Sequence, residues 1–512
     1  MKRNHFYIVL FFIFLSCGKG ELNFEASKDY KPVVSDITDI DGINDTYGKI
    51  TDQDYVPVQN VVVSDGYSFV LTDEQGIYQF KRNKDAKFVY FSNPSGYEIA
   101  TERNDHKMAL FYAKLSPTAK GRVRNDFVLT KSVQDQKEFT LLAIGDPQVA
   151  NTNDVARFKE ETIEDIRKTL QEINTPVLGL SMGDVVADQS TLLEPMKTLL
   201  GSTGMPVFTT IGNHDKFVAT SGGIKVGDLF TNTFGPLNYS FNYGDVHFIC
   251  IDNVNFTDDT NYNIGVTAEQ IAWIAQDLSF VPKSKMIILY YHMPMRGTSF
   301  TNRAALFDLV KDYQNVHLMC GHTHYTENYI HASPKSIYEH VHGAACGAWW
   351  KSTINGDGTP NGYAVYSING TEITSWYYKA VNYDKYFQIR LHRGNASFGG
   401  EYDYFTYGLG SDILIANIWN ADPNWQIEVY ENNVKTGNMT LSTVTKDAWS
   451  MGYHIGVLNR NPDNYSTRTP HLYRYTLQNS NAQVRVVAKD PFGNAYEQTN
   501  IVTDFLSAIS YQ

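Results

Sequence analysis

The chain has 512 residues, of which 42% are hydrophobic and 19% charged, and its formal net charge at pH 7 is −12. This is an ordinary globular composition, sufficient for about three domains with sizeable cores. The acidic balance disfavours broad nucleic-acid binding, because such binding depends on basic side chains that neutralise phosphates.

Residues 1–16 predict a signal peptide. The basic segment MKRNH precedes the apolar run FYIVLFFIFL, which is too short to span a bilayer as a stable helix. Cys17 follows Leu15 and Ser16, and this pattern resembles the lipobox of bacterial lipoproteins, in which the cysteine is lipidated. We therefore expect an exported protein, lipid-anchored through Cys17 in the bacterial cell envelope and facing the periplasm or the cell surface. A plain signal peptide or anchor is the alternative.

Three further cysteines, Cys250, Cys320 and Cys346, follow in the exported part of the chain. Their number is odd and their spacing is not that of a metal site or a disulfide framework. Each lies in an apolar stretch of sequence, so we predict three buried free thiols.

The pattern after the signal peptide changes three times. Residues 17–42 are mostly polar and aperiodic, as is typical of a flexible tether. Residues 43–132 alternate short apolar runs with turn signals and predict a β-sandwich. Residues 137–381 alternate strand and helix patterns and predict a layered α/β domain. Residues 384–512 lose helical periodicity and predict a second β-sandwich, so the chain as a whole is multidomain, α/β plus all-β.

Two helices of the α/β region have clear signals. The segment around residues 153–173 places Val155, Phe158 and Ile166 on one helical face. A second helix follows Thr267, which with Gln270 fits a capping box.

Five strand patterns within residues 137–381 end in polar clusters. The side chains in these clusters are Asp146 and Gln148; Asp184; Asn213, His214 and Asp215; His292; and His322 and His324. Ligands of open α/β sheets bind outside the carboxyl ends of strands, so the five clusters can converge on one place. Carboxylates, imidazoles and amides are good ligands for divalent transition metals or Mg²⁺.

Each cluster alone also has a plain structural explanation. An aspartate at a strand end often caps the next helix, and a single histidine is often a satisfied structural residue. The segments GNHD at 212–215 and GHTH at 321–324 are more specific. All five clusters in this order, each at the end of a predicted strand, favour a metal site.

This set of motifs resembles the calcineurin-like metallophosphoesterase superfamily, whose pattern is D-x-H, GD, GNH[DE], H and GHxH. The resemblance covers roughly Lys137 to Tyr378. The whole chain is similar to the subgroup of three-domain bacterial envelope lipoproteins with N- and C-terminal β domains. The resemblance implies a central four-layer α/β/β/α domain flanked by the two β-sandwiches.

The resemblance also implies a site for two divalent metal ions, which could be Mn, Fe, Zn or Mg. Asp146, Gln148, Asp184 and His324 would hold one ion, and Asp184, Asn213, His292 and His322 would hold the other. A hydroxide held by the two ions would attack phosphorus. His214 would stabilise the developing charge or protonate the leaving oxygen, and Asp215 would orient the His214 ring or serve only as a turn former. Asp188 is expected to be a solvated surface residue.

Gln148 stands where most of the family has histidine. An amide oxygen is a neutral, harder and weaker donor than imidazole. It should therefore weaken binding of the first ion, or shift the metal preference of the site towards Mn²⁺ or Mg²⁺ over zinc. A degenerate site is the alternative.

Some residues outside the motifs could also contribute to the site. His471 could reach it from the C-terminal module, and Trp349 could stack on sugars or lipid headgroups, but a role in the protein core explains either one as well.

The predicted function is that of a metal-dependent phosphoesterase, a hydrolase that acts on phosphoric ester bonds as a phosphatase or a phosphodiesterase. Expected substrates are small phosphoesters, phospholipid headgroups or phosphorylated glycans, and the lipid anchor is the expected membrane contact. The alternative is a binding or structural envelope lipoprotein with a degenerate metal site. A nuclease is disfavoured because no Lys/Arg cluster lies near the motifs.

Overall fold

The computed structural model describes residues 37, 39–115, 121–219, 222–297, 299–398, 405–465, 467–506, 508 and 510. The predicted signal peptide, the Cys17 lipidation site and most of the predicted tether lie outside the described residues. Within the described ranges, no helix has both the length and the apolar character needed to cross a bilayer.

The N-terminal region forms two four-stranded sheets, as the pattern of a β module predicts. Its strands are β1 (Thr46–Asp52), β2 (Val62–Ser64), β3 (Phe69–Leu71), β4 (Ile77–Phe80), β5 (Phe88–Phe91), β6 (Thr101–Arg103), β7 (His106–Ala109), β8 (Tyr112–Lys114), β9 (Val123–Arg124) and β10 (Phe127–Leu129). In one sheet β1 pairs with β4, β9 and β10, and the other sheet has the order β3-β2-β5-β8. The strands β6 and β7 belong to neither, because they pair with the central domain.

The central region alternates strands and helices. Its elements are β11 (Glu138–Ile144), α1 (Thr152–Phe158), α2 (Glu164–Glu172), β12 (Val177–Ser181), α3 (Leu193–Gly201), β13 (Val207–Thr209), β14 (Phe217–Val218), β15 (Lys225–Val226), α4 (Asp228–Phe234), β16 (Tyr239–Tyr243), β17 (Val246–Cys250), β18 (Val254–Phe256), β19 (Tyr262–Ile264), α5 (Ala268–Leu278), β20 (Met286–Tyr290), α6 (Arg303–Val310), β21 (Val316–Cys320), β22 (Glu327–His331), β23 (Ile337–Val341), β24 (Gly362–Asn369) and β25 (Glu372–Ala380). The predicted helix at 153–173 is interrupted by a π-helical turn at Lys159–Ile163. The capping box of Thr267 and Gln270 at the start of α5 is confirmed.

These strands form two large sheets. One has seven strands in the order β25-β24-β11-β12-β13-β7-β6, and the other has six in the order β16-β17-β20-β21-β23-β22. The strands β11, β12 and β13 run parallel in the first sheet, and β17, β20, β21 and β23 run parallel in the second. The carboxyl ends of several neighbouring strands therefore lie along one edge of each sheet.

Strand β11 shows why both faces of the seven-stranded sheet are covered. Leu141 and Ala143 belong to one apolar cluster, and Leu142 and Ile144 belong to another that includes residues of α1, α2 and α3. Successive side chains of a strand point to opposite faces, so the apolar run of β11 packs on both sides.

Stacked aromatic rings join the two large sheets. Phe208 of β13 stacks on Phe241 of β16 with ring centroids 3.8 Å apart, and Phe241 stacks on Phe248 of β17 at 4.5 Å. All three side chains are buried. The two sheets thus share an aromatic core, and the full four-layer order of the central domain stays a prediction.

The C-terminal region forms two four-stranded sheets that share one apolar core. Its elements are β26 (Ile389–Arg393), β27 (Ile413–Ile418), β28 (Gln426–Glu431), β29 (Val434–Asn438), β30 (Thr440–Leu441), α7 (Ala448–Met451), α8 (Pro462–Tyr465), β31 (Leu472–Thr476), β32 (Val484–Lys489) and β33 (Ala495–Gln498). The sheet orders are β26-β27-β31-β30 and β29-β28-β32-β33. The short helices α7 and α8 were not predicted from the sequence; a few residues cannot establish a helical period.

The cysteine prediction is confirmed for the three described cysteines. Cys250, Cys320 and Cys346 are free and fully buried. Burial raises the pKa of the Cys250 thiol to about 12, so this group stays protonated.

Replacing Phe241 should test the aromatic core between the sheets. Phe241→Ala removes a ring that stacks on both Phe208 and Phe248, and we expect the central domain to lose about 3–5 kcal/mol of unfolding free energy. Native-state hydrogen exchange of the β16 and β17 amides measures this loss locally. The control, Val128→Ala, changes a 55% exposed side chain and should have little effect; equal losses in both variants would contradict the packing.

Candidate metal centre

The five polar clusters lie where five parallel strands end. Asp146 follows β11, Asp184 follows β12, Asn213 follows β13, His292 follows β20 and His322 follows β21. All of these side chains except that of His322 are buried, although all are polar. Burial of so many polar groups in one place requires that they satisfy one another or a shared ligand.

Asp184, His292 and His322 form the closest group. One potential ligand atom from each lies within 4.8 Å of the others. The His292 Nε2 atom is 3.1 Å from Asp184 Oδ2 and 3.1 Å from Asn213 Oδ1. The opposite nitrogen, Nδ1, donates a hydrogen bond to the Met182 carbonyl at 2.8 Å, which fixes the ring so that Nε2 faces the centre.

Asp146, Gln148 and His324 lie beside this group. The His324 Nε2 atom is 3.7 Å from Asp146 Oδ1. Gln148 donates its side-chain N–H to Asp184 Oδ2 at 3.2 Å. Its amide oxygen, Oε1, is buried and has no hydrogen-bond partner among the residues that the structure describes. A cation would satisfy this oxygen, so the donor set fits a metal site.

The backbone at the centre is strained. Asp146, Gln148, Asp184, His322 and His324 have φ between 36° and 72°, in the left-handed region that non-glycine residues seldom adopt. Such conformations cost about 1–3 kcal/mol each and persist where the surrounding structure imposes them, often at functional sites.

Two glycines make room for the two carboxylates. A Cβ atom on Gly212 would lie 2.1 Å from Asp184 Oδ1, and one on Gly321 would lie 2.3 Å from Asp146 Oδ2. The glycines of GNHD and GHTH are therefore required by close approach of the backbone to the carboxylates.

Burial and mutual charge shift the pKa values of the centre. Burial raises the pKa of Asp146 to about 8, and burial lowers the pKa of His322 to about 3 and that of His324 to about 4. Burial opposes ionisation of Asp184 and His292 as well, but their attraction prevails, so the pKa of Asp184 falls and that of His292 rises to about 9. Metal ions bind imidazoles in their neutral form and carboxyl groups in their ionised form.

His214 lies at the edge of this group and contacts Asp188. Its Nδ1–H donates to Asp188 Oδ2 at 2.6 Å, and Asp188 Oδ1 accepts from Lys225 Nζ at 2.9 Å. The His214 side chain is 36% exposed, in contrast to the buried ligand candidates. Burial lowers the pKa of His214, but the Asp188 hydrogen bond and nearby carboxylate charges outweigh it and raise the pKa.

The predicted orienting role of Asp215 is wrong, and its alternative as a turn former agrees with the structure. The Asp215 carboxylate accepts backbone N–H groups of Val185, Val186 and Gly212 at 2.9–3.1 Å, which leaves Asp188 as the partner of His214. Asp188 is exposed, as predicted, and its carboxylate in addition contacts His214, a contact that the sequence did not predict. Its spacing of four residues after Asp184 was the available sequence signal, whereas Lys225 had none.

Trp349 and His471 lie near the centre without being ligand candidates. The Trp349 ring stacks on the His324 ring with centroids 4.8 Å apart and is 37% exposed. His471 is buried and contacts Thr326, two residues after His324.

Three models of one family match the chain. The model described as calcineurin-like phosphoesterase matches residues 139–326, and those described as its N terminal and C terminal match residues 44–132 and 339–496. The three matched ranges together cover most of the chain and identify it as a member of the calcineurin-like phosphoesterase superfamily. No curated protein matches the chain in sequence.

Two phosphatases and a 5'-nucleotidase precursor are among the solved structures that match this chain. A dimetal phosphatase from Danio rerio is 12% identical and matches 46% of this chain and 97% of its own, with a TM-score of 0.34. A purple acid phosphatase from yellow lupin (Lupinus luteus) is 14% identical over 55% of this chain and 51% of its own, with a TM-score of 0.30. A 5'-nucleotidase precursor from Thermus thermophilus is 10% identical over 70% and 88%, with a TM-score of 0.29. Such distant likenesses support no conclusion about activity.

Asp184→Asn should weaken Mn²⁺ binding more than Asp188→Asn does. Mutation of a group that only orients a metal ligand commonly lowers metal affinity by roughly 10–100-fold. Asp184 lies among the donor atoms themselves, so its loss should lower the affinity by more than that. Asp188→Asn is the matched control, since the same chemical change is made at a residue that contacts His214 instead. Calorimetric titration with Mn²⁺ measures both, and equal affinities would argue against Asp184 as a ligand.

Proposed function

We propose that the protein hydrolyses phosphoric esters with two divalent metal ions. The observation that carries this proposal is the convergence of Asp184, His292 and His322 to within 4.8 Å at the ends of strands from two sheets. Membership of the calcineurin-like phosphoesterase superfamily supports the reaction class.

These contacts support the ligand sets that the family resemblance implies. Asp146, Gln148 and His324 would hold one ion and Asn213, His292 and His322 the other, with Asp184 shared between them. When bound, the ions would neutralise phosphoryl charge and activate water for attack on phosphorus. The carbonyl of Met182 holds His292 in the orientation that ligation requires.

His214 is the proposed proton donor to the leaving oxygen. It is partly exposed, so a substrate can contact it, and the Asp188 carboxylate favours its protonated form. Asp188 also binds Lys225, and although burial opposes ionisation of the carboxyl, these two hydrogen bonds lower its pKa. Lys225 therefore helps to keep a negative charge beside the imidazole.

Asp188→Asn should shift the pH dependence of turnover. Loss of the carboxylate removes a cause of the raised pKa of His214, so the ring would lose its proton at a lower pH. A general acid must be protonated to act, and the alkaline limb of the kcat profile should therefore move to lower pH. The exposed Asp259→Asn is the control, and an unmoved limb in Asp188→Asn would show that His214 is not the acid.

Two nitrophenyl esters test the proposed function. Mn²⁺-loaded protein should hydrolyse p-nitrophenyl phosphate, bis-p-nitrophenyl phosphate or both, and His214→Ala should be slower by about 10²–10⁴-fold. The faster ester distinguishes a phosphatase from a phosphodiesterase. Rates that do not change in His214→Ala would mean that a contaminant is responsible, and the proposal would fail.

A binding or structural role with a degenerate metal site is the second candidate. It is favoured by Gln148, whose N–H rather than its oxygen faces Asp184. This candidate predicts that the purified protein retains no metal after incubation with Mn²⁺, whereas the phosphoesterase must retain it.

We also propose that the protein is exported and lipid-anchored through Cys17 in the cell envelope. The support is the sequence of residues 1–17 alone. In that location, phospholipid headgroups, phosphorylated glycans and scavenged phosphoesters are the accessible substrates.

A further inference from the structure

A buried polar network connects the C-terminal module to the segment that carries His322 and His324. His471, which precedes β31, has its Nε2 atom 2.9 Å from Thr326 Oγ1 and 2.9 Å from Asp357 Oδ2. Asp357 also accepts the backbone N–H of Thr326 at 3.0 Å. These three side chains are at most 4% exposed.

The second nitrogen of His471 extends the network into the C-terminal module. Its Nδ1 atom is 2.7 Å from Asn417 Oδ1. The Asn417 amide N–H groups are already directed at the Asp357 carbonyl and the Asp447 carboxylate, both at 2.8 Å. Asn417 Oδ1 is therefore an acceptor, and the His471 Nδ1–H is the donor.

Thr326 lies between His324 and the strand β22. Its backbone N–H and its hydroxyl are both held by the network, and it is only two residues from His324. The left-handed backbone at His322 and His324, with φ of 72° and 54°, needs such external support. The Gly321–His324 turn is anchored on its other side by the His322 N–H, which donates to the Asp146 carboxylate.

We propose that His471 is a positioning residue of the metal centre, acting through Thr326 and Asp357 to hold His324 in place. The C-terminal β module is then part of the metal-binding unit rather than an appendage. This inference rests on the proposed function, because it assumes that His324 binds a metal ion. Groups that orient metal ligands from behind commonly contribute about 10–100-fold to metal affinity.

Mn²⁺ affinity, measured by calorimetry on the full chain, separates positioning from general stability. His471→Ala should bind Mn²⁺ about 10–100-fold more weakly than the wild type. The control is His392→Ala, which removes another fully buried histidine of the same module whose Nδ1 atom contacts the Val502 carbonyl. It should lower the melting temperature of the metal-free protein without lowering Mn²⁺ affinity.

Two conservative variants show which side of the ring matters. In His471→Gln the side-chain amide reaches the position of Nε2 and can contact Thr326 and Asp357, whereas in His471→Asn it replaces only Nδ1. We expect Gln to restore Mn²⁺ affinity more than Asn does. If His471→Ala does not fold, Thr326→Val replaces it in the test. This variant removes only the hydroxyl from the network and should also weaken Mn²⁺ binding.

Three outcomes are distinguishable. Weaker binding in His471→Ala but not in His392→Ala supports the inference. Wild-type affinity in His471→Ala, or equal losses in both alanine variants, overturns it and leaves the proposed function standing. A wild-type protein that binds no Mn²⁺ overturns the proposed function and this inference together.

Discussion

The structure depends on the burial of two carboxylates, Asp146 and Asp184, at the ends of adjacent strands. Both are at most 1% exposed, and in the described part of the chain neither forms an ion pair with lysine or arginine. Removing an ionised carboxylate from water costs several kcal/mol unless other groups compensate, and this cost is what raises the pKa of Asp146 to about 8. Backbone N–H groups of His322 and His214 and the surrounding imidazoles provide part of that compensation. Divalent cations would complete it, which makes metal binding and the local fold interdependent.

Other features of the region follow from that burial. Gly212 and Gly321 allow backbone to approach the carboxylates, and positive φ angles aim the ligand candidates inward. Asp215 ties the loop after β12 to the loop after β13 through backbone N–H groups. The C-terminal module contributes through His471. Elements from two sheets and two regions of the chain thus converge on one small volume.

The sequence indicated the strand ends well because the polar clusters interrupt long apolar runs such as residues 139–144. It was less informative where tertiary contacts decide the role of a residue. The family resemblance implied that the Asp215 carboxylate orients His214. In the structure that carboxylate accepts backbone N–H groups instead, and Asp188 contacts His214. The hairpins of β14 with β15 and β18 with β19 and the short helix α4 were also missed, because such brief elements carry little periodicity. No sequence pattern indicated that β6 and β7 would join the central sheet.

The central proposal is that Asp184 would contribute to holding both metal ions. Anomalous X-ray scattering from a Mn²⁺-loaded crystal tests it most directly, because it locates each ion without reference to activity. Two peaks are expected, one beside Asp146, Gln148 and His324 and one beside Asn213, His292 and His322, both near Asp184. A loaded crystal with no peak there, or with one peak away from Asp184, would contradict it.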